Sequence, residues 1–341
     1  MGKSRRESAL TKSILSALIR DPDRFKKTAL GKFLAFFSVR RMKLVRHEKE
    51  LFKTLREEVW EFNAHEYQGS FHTTRGQPPL KPMGDLGYSG STFFETFDGR
   101  LLIKSLPRHF EYSFFERDLL EPYLDYMFRH PDSLLVWITD YLLAPYPTLG
   151  TLLGLTPAHY IVMENTLCGR DDDPAAQQWE IYDLKPIDYF YPERDLVPQA
   201  LVGEETLNKL ADRFNDKLHL RRADYEVFWR MIQDDTKFLR DANVVDYSLF
   251  LVRMPASSQP PICGRQSSWR LGLPSADGKW KYRAAILDFF WARHKLQSQA
   301  LSGLVQTFNV VGRKGPMTIT TTAREYRENF LSMIMEMIEV H

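Results

Sequence analysis

The sequence predicts a mixed α/β (α+β) chain of two lobes behind a basic helical extension, and three observations carry that expectation. Residues 83–165 alternate as short strands do and enclose one helical stretch, Glu111 to Phe128. Beyond a polar connection, Gly169 to Gln178, residues 166–341 are mostly helical with a few short strands. Ahead of both, residues 1–64 form the extension, with Leu15, Leu18 and Ile19 and then Phe33, Phe36 and Phe37 interleaved with Lys and Arg.

Composition narrows the class. At 341 residues and 43% hydrophobic content, the chain can build two domains or one two-lobed domain with ordinary cores. Two cysteines, Cys168 and Cys263, supply neither a disulfide framework nor a metal cluster, so a reducing cytosol is expected. Lys3, Arg5, Arg6 and Lys12 interrupt the start, which argues against a secretory leader, and Arg6 stands where myristoylation at Gly2 needs Ser or Thr. The longest run without Asp, Glu, Lys or Arg, Tyr141 to Met163, is broken by Pro145, Pro147, Pro157, Gly150 and Gly154, so it is not a membrane span. A cytoplasmic protein, soluble or peripheral at a membrane surface, is the expectation.

Charge is unevenly distributed. Residues 1–46 hold 13 Lys or Arg against three acids, a net of +10, which leaves −8 for the rest of a chain whose total is +2. A basic arm on an acidic body suits an anionic partner, either nucleic acid or the cytoplasmic leaflet. The apolar positions of the arm fit ordinary helical packing or a membrane-lying face.

In chain order, the connection His72 to Pro82 closes the extension. Gly84-Asp-Leu-Gly87-Tyr-Ser-Gly90-Ser91 follows, with glycines at every third position that let backbone amides approach a phosphate. The Asp98-Gly99 turn then brings Arg100 to Lys104 back as a partner strand, so that Lys104 projects toward whatever the loop covers. The apolar strand Tyr160 to Met163 becomes polar at Glu164-Asn165. Three more segments set a charged group beside a short apolar run: Ile181-Tyr-Asp183-Leu-Lys185, Val244-Val-Asp246-Tyr-Ser248 and Ala285-Ile-Leu-Asp288. Taken singly, each of these acids is more often a cap, a turn or a solvated side chain. Between them lies a helix, Ala223 to Leu239, with Tyr225, Phe228, Ile232 and Leu239 on one face. A loop from Pro255 to Ser268, a strand from Tyr282 to Leu287 and an amphipathic helix bearing Tyr326, Phe330, Ile334 and Met337 complete the chain.

The order of these segments resembles the phosphatidylinositol phosphate kinases. That family carries a strand ending in IKT or IKE, a methionine-asparagine segment, then DLKGS, MDYSLL and a late IID. Here IKS stands at 103–105, VMEN at 162–165, YDLK at 182–185, VDYSLF at 245–250 and ILD at 286–288. The resemblance covers about residues 83–338, as one kinase domain. Phe290-Trp291, Lys295-Leu296 and the Gly312 to Pro316 run are similar to the branch that phosphorylates phosphatidylinositol 3-phosphate.

The resemblance implies a two-lobed kinase-like fold with an antiparallel glycine-loop sheet, and ATP and Mg2+ as cofactors. It implies ATP binding by Gly87, Ser89, Gly90, Ser91, Lys104, Glu111, Met163 and Asn165, with Glu111 holding Lys104 in place and Glu116 as its rival. Asp246 would orient the acceptor hydroxyl and take its proton, Lys185 would neutralise the transferring phosphate, and Asp183 would fix the loop that presents Lys185. Asp288 would bind the metal, and Asp212 matches a further acid of the family. Arg293, Lys295, Arg313 and Lys314, with His294, would meet the lipid head group.

One departure stands out: DLKGS is here Asp183-Leu-Lys185-Pro186-Ile187, and a proline removes a backbone amide. A catalytically inactive phosphoinositide-binding scaffold is therefore the alternative, and a kinase for soluble inositol phosphates is a further rival. Nucleic acid is not expected, because it leaves Asp183, Asp246 and Asp288 without purpose. The partners implied are a phosphoinositide substrate and an anionic membrane surface; the sequence carries no sign of the oligomeric state.

Overall fold

The computed structural model describes residues 2–20, 36–39, 42–72, 78–85, 91–186, 210–211, 214–261, 264–292 and 321–341. Contacts divide the chain into two units. One comprises Met1–Tyr112, Trp137–Gly169 and Pro261–Arg265, the other Ser113–Val136, Arg170–Pro260 and Gln266–His341.

The first unit is built on six strands, β1 (Val45–His47), β2 (Leu80–Asp85), β3 (Thr92–Thr96), β4 (Leu101–Ser105), β5 (Ile138–Leu143) and β6 (His159–Glu164). They form one antiparallel sheet in the order β1-β5-β6-β4-β3-β2. The Asp98-Gly99 pair closes the β3–β4 hairpin as expected, with Gly99 at a φ of 69° that only glycine adopts freely. Alternation sends Phe94, Leu101, Ile103, Tyr160 and Val162 to one face, where they share a buried cluster with Leu10, Ile14, Ala17 and Leu18 of the helix Gly2–Ile19. Pairs of buried residues recur at each turn of that helix, while Arg5, Arg6, Lys12 and Arg20 are exposed. The extension therefore closes its apolar side on the sheet. Ile19 and Phe37 remain exposed, and Phe33 lies outside the described residues.

The helix Lys49–Thr54 continues into a π-turn, Leu55–Val59, that delivers Arg56 to a buried carboxylate. Asp140 sits at a bulge in β5 and accepts from Arg46 Nε (2.9 Å) and Nη2 (2.7 Å), from Arg56 Nη1 (3.1 Å) and from the Tyr67 hydroxyl. A carboxylate with no exposed surface needs this many partners, since breaking a buried pair typically costs about 3–5 kcal/mol.

The second unit contains β7 (Glu180–Leu184), β8 (Leu210–Ala211), β9 (Leu218–Leu220), β10 (Val244–Val245), β11 (Ser248–Pro255), β12 (Leu273–Pro274), β13 (Trp280–Leu287), β14 (Trp291–Ala292) and β15 (Ile338–Val340). Five of them make a sheet of order β12-β13-β11-β7-β8, antiparallel except for β7–β8. Two further ladders are β10–β14, antiparallel, and β9–β15, parallel. The helices Arg222–Asp241 and Ala323–Glu336 pack together and bury Phe228, Ile232 and Leu239 of the first and Tyr326, Phe330 and Ile334 of the second. Thr322 and Glu325 form a reciprocal capping box that starts the latter helix.

The helical stretch expected over Glu111 to Phe128 is three pieces, His109–Phe114, a π-turn at Phe115–Leu119 and Leu120–Arg129. Pro122 has no N–H to donate to the carbonyl four residues back, at Asp118, and the wider turn falls at that gap. Among the described residues, no helix is long and apolar enough to cross a membrane.

Candidate functional site

In the first unit, the strand registers decide which face carries the residues singled out by sequence. Lys104 pairs with Phe93 and Ile161, and Leu102 with Met163, so Lys104 and Met163 share the face opposite the N-terminal helix. Both are buried, and the Lys104 ammonium lies 5.6 Å from the centre of the Phe93 ring. Glu111 is buried on the following helix, where Oε2 accepts from Arg108 N (3.4 Å) and Oε1 lies 3.6 Å from Arg108 Nη1. Arg108 escaped the sequence reading, although its i,i+3 spacing from Glu111 is a readable signal. Glu116, the rival to Glu111, is on the π-turn assigned to the other unit.

Asn165 has a definite structural task. Its amide donates to Glu95 Oε1 (3.0 Å) and the Gly99 carbonyl (2.8 Å), and its backbone N–H donates to the Arg100 carbonyl (2.9 Å). It thereby clamps the β3–β4 turn to the end of β6. Ser91 is buried beside Thr92, whose N–H donates to Ser105 Oγ at 2.8 Å. Gly87, Ser89 and Gly90 lie outside the described residues; the strands on either side pair through Asp85 and Thr92.

In the second unit, antiparallel pairing gathers residues far apart in sequence. β11 is central: Phe250 pairs with Asp183 and Leu249 with Leu184 on one side, and Ser248 pairs with Leu287 on the other. The C-terminal ends of β7 and β13 therefore meet the N-terminal end of β11, and Lys185, Asp288 and Asp246 follow or precede those ends by one or two residues. The Lys185 ammonium donates to Asp246 Oδ1 at 2.9 Å, with both side chains mostly buried.

Two of the acids sit at corners. The ladder β10–β14 continues the pairing beyond β11 and β13, with Val245 opposite Trp291. Asp246 lies where the chain passes from β10 to β11, and Asp288 where it leaves β13 for β14. Both have left-handed backbone, with φ of 67° and 63°. Aspartate tolerates that region better than most L residues but not freely. Behind Asp246, Tyr247 is fully buried against Tyr326 and Phe330, and the Tyr326 hydroxyl donates to the Tyr247 carbonyl. The terminal helix thus holds the Asp246 corner, a role that the helical periodicity of Tyr326 and Phe330 did not reveal.

Electrostatics tie the group together. Burial disfavours the Lys185 charge, but Asp246, then Asp288 and Asp183, together with the hydrogen bond that Lys185 donates to Asp246, outweigh it and hold the lysine above its ordinary pKa. One cation among three carboxylates leaves a net charge of about −2, and hard oxygen donors in that number suit a divalent cation such as magnesium. Asp212, Ile187, Arg293, His294, Lys295, Arg313 and Lys314 lie outside the described residues.

A lysine on the face of one sheet, and a lysine among acids at the end of another, are the kind of groups that phosphoryl transfer uses for positioning and charge neutralisation. The model of the Phosphatidylinositol-4-phosphate 5-Kinase family matches residues 74–267, more than half of the chain, and the chain belongs to this family of phosphatidylinositol phosphate kinases. The match includes Lys104, Glu111, Met163, Asn165, Asp183, Lys185 and Asp246, and ends before Asp288. No curated protein matches the chain. Membership supports a phosphoinositide kinase that uses ATP, typically with a divalent metal, and the mixed α/β architecture with antiparallel sheets is consistent with it.

Proposed function

We propose that the chain transfers the γ-phosphate of ATP to a ring hydroxyl of a phosphatidylinositol monophosphate. The observation that carries this reading is the 2.9 Å Lys185–Asp246 pair at the meeting of three strand ends, with Asp183 and Asp288 acting on the same lysine. Asp246 orients the acceptor hydroxyl and takes its proton as the new O–P bond forms and the bond from the γ-phosphorus to the β,γ-bridging oxygen breaks, releasing ADP, a role typically worth about 10²–10⁴-fold in rate. Lys185 offsets charge on the transferring phosphoryl oxygens, and Asp183 steadies it.

Lys104 binds the ATP phosphates from its sheet face, with Glu111 as its positioning residue. Gly87, Ser89, Gly90 and Ser91 serve the ATP phosphates as a glycine loop, and Met163 and Asn165 border the adenine. Asp288 supplies a hard oxygen to magnesium. When bound, that ion neutralises charge on the phosphate oxygens. Arg293, Lys295, Arg313 and Lys314 take the lipid head group. A phosphatidylinositol 3-phosphate acceptor is favoured by the Phe290-Trp291, Lys295-Leu296 and Gly312 to Pro316 stretches.

The residue before a proline is kept extended, so Pro186 favours a Lys185 backbone that continues the line of β7. Lys185, Asp183, Asp246 and Asp288 are all retained and the three acids act on the one lysine, an arrangement that binding alone does not require.

The test is transfer of labelled γ-phosphate from magnesium-ATP to a panel of monophosphorylated phosphatidylinositols in liposomes, with Lys104→Met as control. Labelling of one lipid that disappears in the variant is the expected result. Folded wild-type chain that labels none of them overturns the reading.

A further inference from the structure

The β9–β15 ladder carries three potential metal ligands that none of the phosphate chemistry uses. The parallel register sets Glu339 beside His219, and His341 follows Glu339 by two residues, so the strand period puts all three side chains on one face. The backbone around them is held by hydrogen bonds from His341 N to the Leu220 carbonyl (2.9 Å), from Arg222 N to the His341 carbonyl (3.1 Å) and from Ala276 N to the His219 carbonyl (2.7 Å). Placement of the trio therefore follows from the ladder and not from side-chain rotamers alone.

The distances bracket those of a tetrahedral coordination sphere. His219 Nδ1 lies 2.9 Å from His341 Nε2 and 3.9 Å from Glu339 Oε1, and His341 Nε2 lies 3.4 Å from that oxygen. Metal bonds of about 2.0–2.1 Å at tetrahedral angles set ligand atoms about 3.4 Å apart, the middle of this range. Two imidazoles and one carboxylate form a borderline donor set that prefers zinc-like ions to magnesium or calcium. His219 is half-buried and the other two are exposed, so solvent can fill the remaining position. We propose that His219, Glu339 and His341 bind a divalent transition metal of the zinc class, with water completing the sphere, and that the ion pins the β15 strand to β9. The simpler alternative is a ring-to-ring N–H···N hydrogen bond between the two histidines.

Zinc chloride titrated into the full chain in magnesium-containing buffer, against a chromophoric chelator, separates the two. One site should be present in the wild type and in His65→Ala. In His219→Ala and in His341→Ala it should weaken by at least the ~10–100-fold that loss of even an outer-sphere partner costs. Cobalt should give visible absorption bands with the wild type and not with either variant. Circular dichroism checks the fold, and should His219→Ala unfold, the exposed His341→Ala decides. Absence of zinc binding by the wild type, or binding that survives both substitutions, overturns the proposal. Lipid phosphorylation in zinc-free buffer should be the same in His341→Ala as in the wild type, so this result and the kinase reading are scored separately.

Discussion

Replacing Asp246 by asparagine and by alanine separates the chemistry of its carboxylate from the conformation of its backbone. Asparagine tolerates a φ of 67° as aspartate does, whereas alanine there costs roughly 1–2 kcal/mol. The 2.9 Å bond from Lys185 is charge-assisted, a class worth about 1.5–3 kcal/mol. Asp288 and Asp183 still face the lysine after the substitution, and an asparagine oxygen still accepts, so the loss belongs at the low end of that range. The expected result is an Asn variant within about 1.5 kcal/mol of wild-type stability and an Ala variant lower by a further ~1–2 kcal/mol. Turnover should fall about 10²–10⁴-fold in both, equivalent to roughly 2.7–5.4 kcal/mol of barrier. Urea melts read the first quantity and initial rates of lipid phosphorylation the second. Turnover by Asp246→Asn within about 10-fold of wild type refutes the proton-acceptor role, since that is under ~1.4 kcal/mol of barrier. Equal stability of the two variants refutes the backbone argument.

Three further outcomes are expected. Asp288→Asn keeps a left-handed residue that asparagine accepts, so it should melt like the wild type yet lose turnover; wild-type rates would move the metal ligand elsewhere. Deleting residues 2–19 removes Leu10, Ile14 and Leu18 from the core at about 1.5–3 kcal/mol each, a large share of the ~5–15 kcal/mol typical of a folded domain. The truncated chain should therefore melt far below the wild type, and an unchanged melt would return the helix to a tethering role. His159 is pushed down to about 4 by burial and then by His109, with Tyr141 hydrogen-bonded to Nδ1 and Tyr112 stacked on the ring. The unfolded chain therefore binds a proton there that the folded chain refuses, and stability falls as pH drops from 6.5 toward 4. The ceiling is about 3 kcal/mol, discounted to ~1–2 kcal/mol for the partly exposed ring. Acid melts of His159→Gln should lack that component, and an identical slope would refute the assignment.

How much of this was legible in the sequence depended on whether the signal was local. The Asp98-Gly99 turn, the helix around Phe228 and Ile232, and the closing helix around Tyr326 and Phe330 are local patterns, and the structure has each of them. Asp183, Asp246 and Asp288 could be ordered along the chain from short motifs, but their gathering around Lys185 depends on the register of β11 with both neighbours, which no local pattern encodes. The arm illustrates the opposite case. Its charge suggested a surface tether, and charge alone cannot say that Leu10 and Ile14 are buried beneath it. The π-turns depend on how Pro122 and Arg56 are accommodated, a matter of packing that propensity does not report.

The central position of β11 also bears on how the protein is made. Lys185 and Asp246 are 61 residues apart, and the Ser248–Leu287 pair also joins segments well separated in sequence. Contacts of such sequence separation form late, after the loop-closure entropy has been met. A chain with its helices formed but these strand pairs open would lack the Lys185–Asp246 group. On the proposed function, phosphotransfer would therefore double as a reporter of completed folding, since it needs both neighbours of β11 in register.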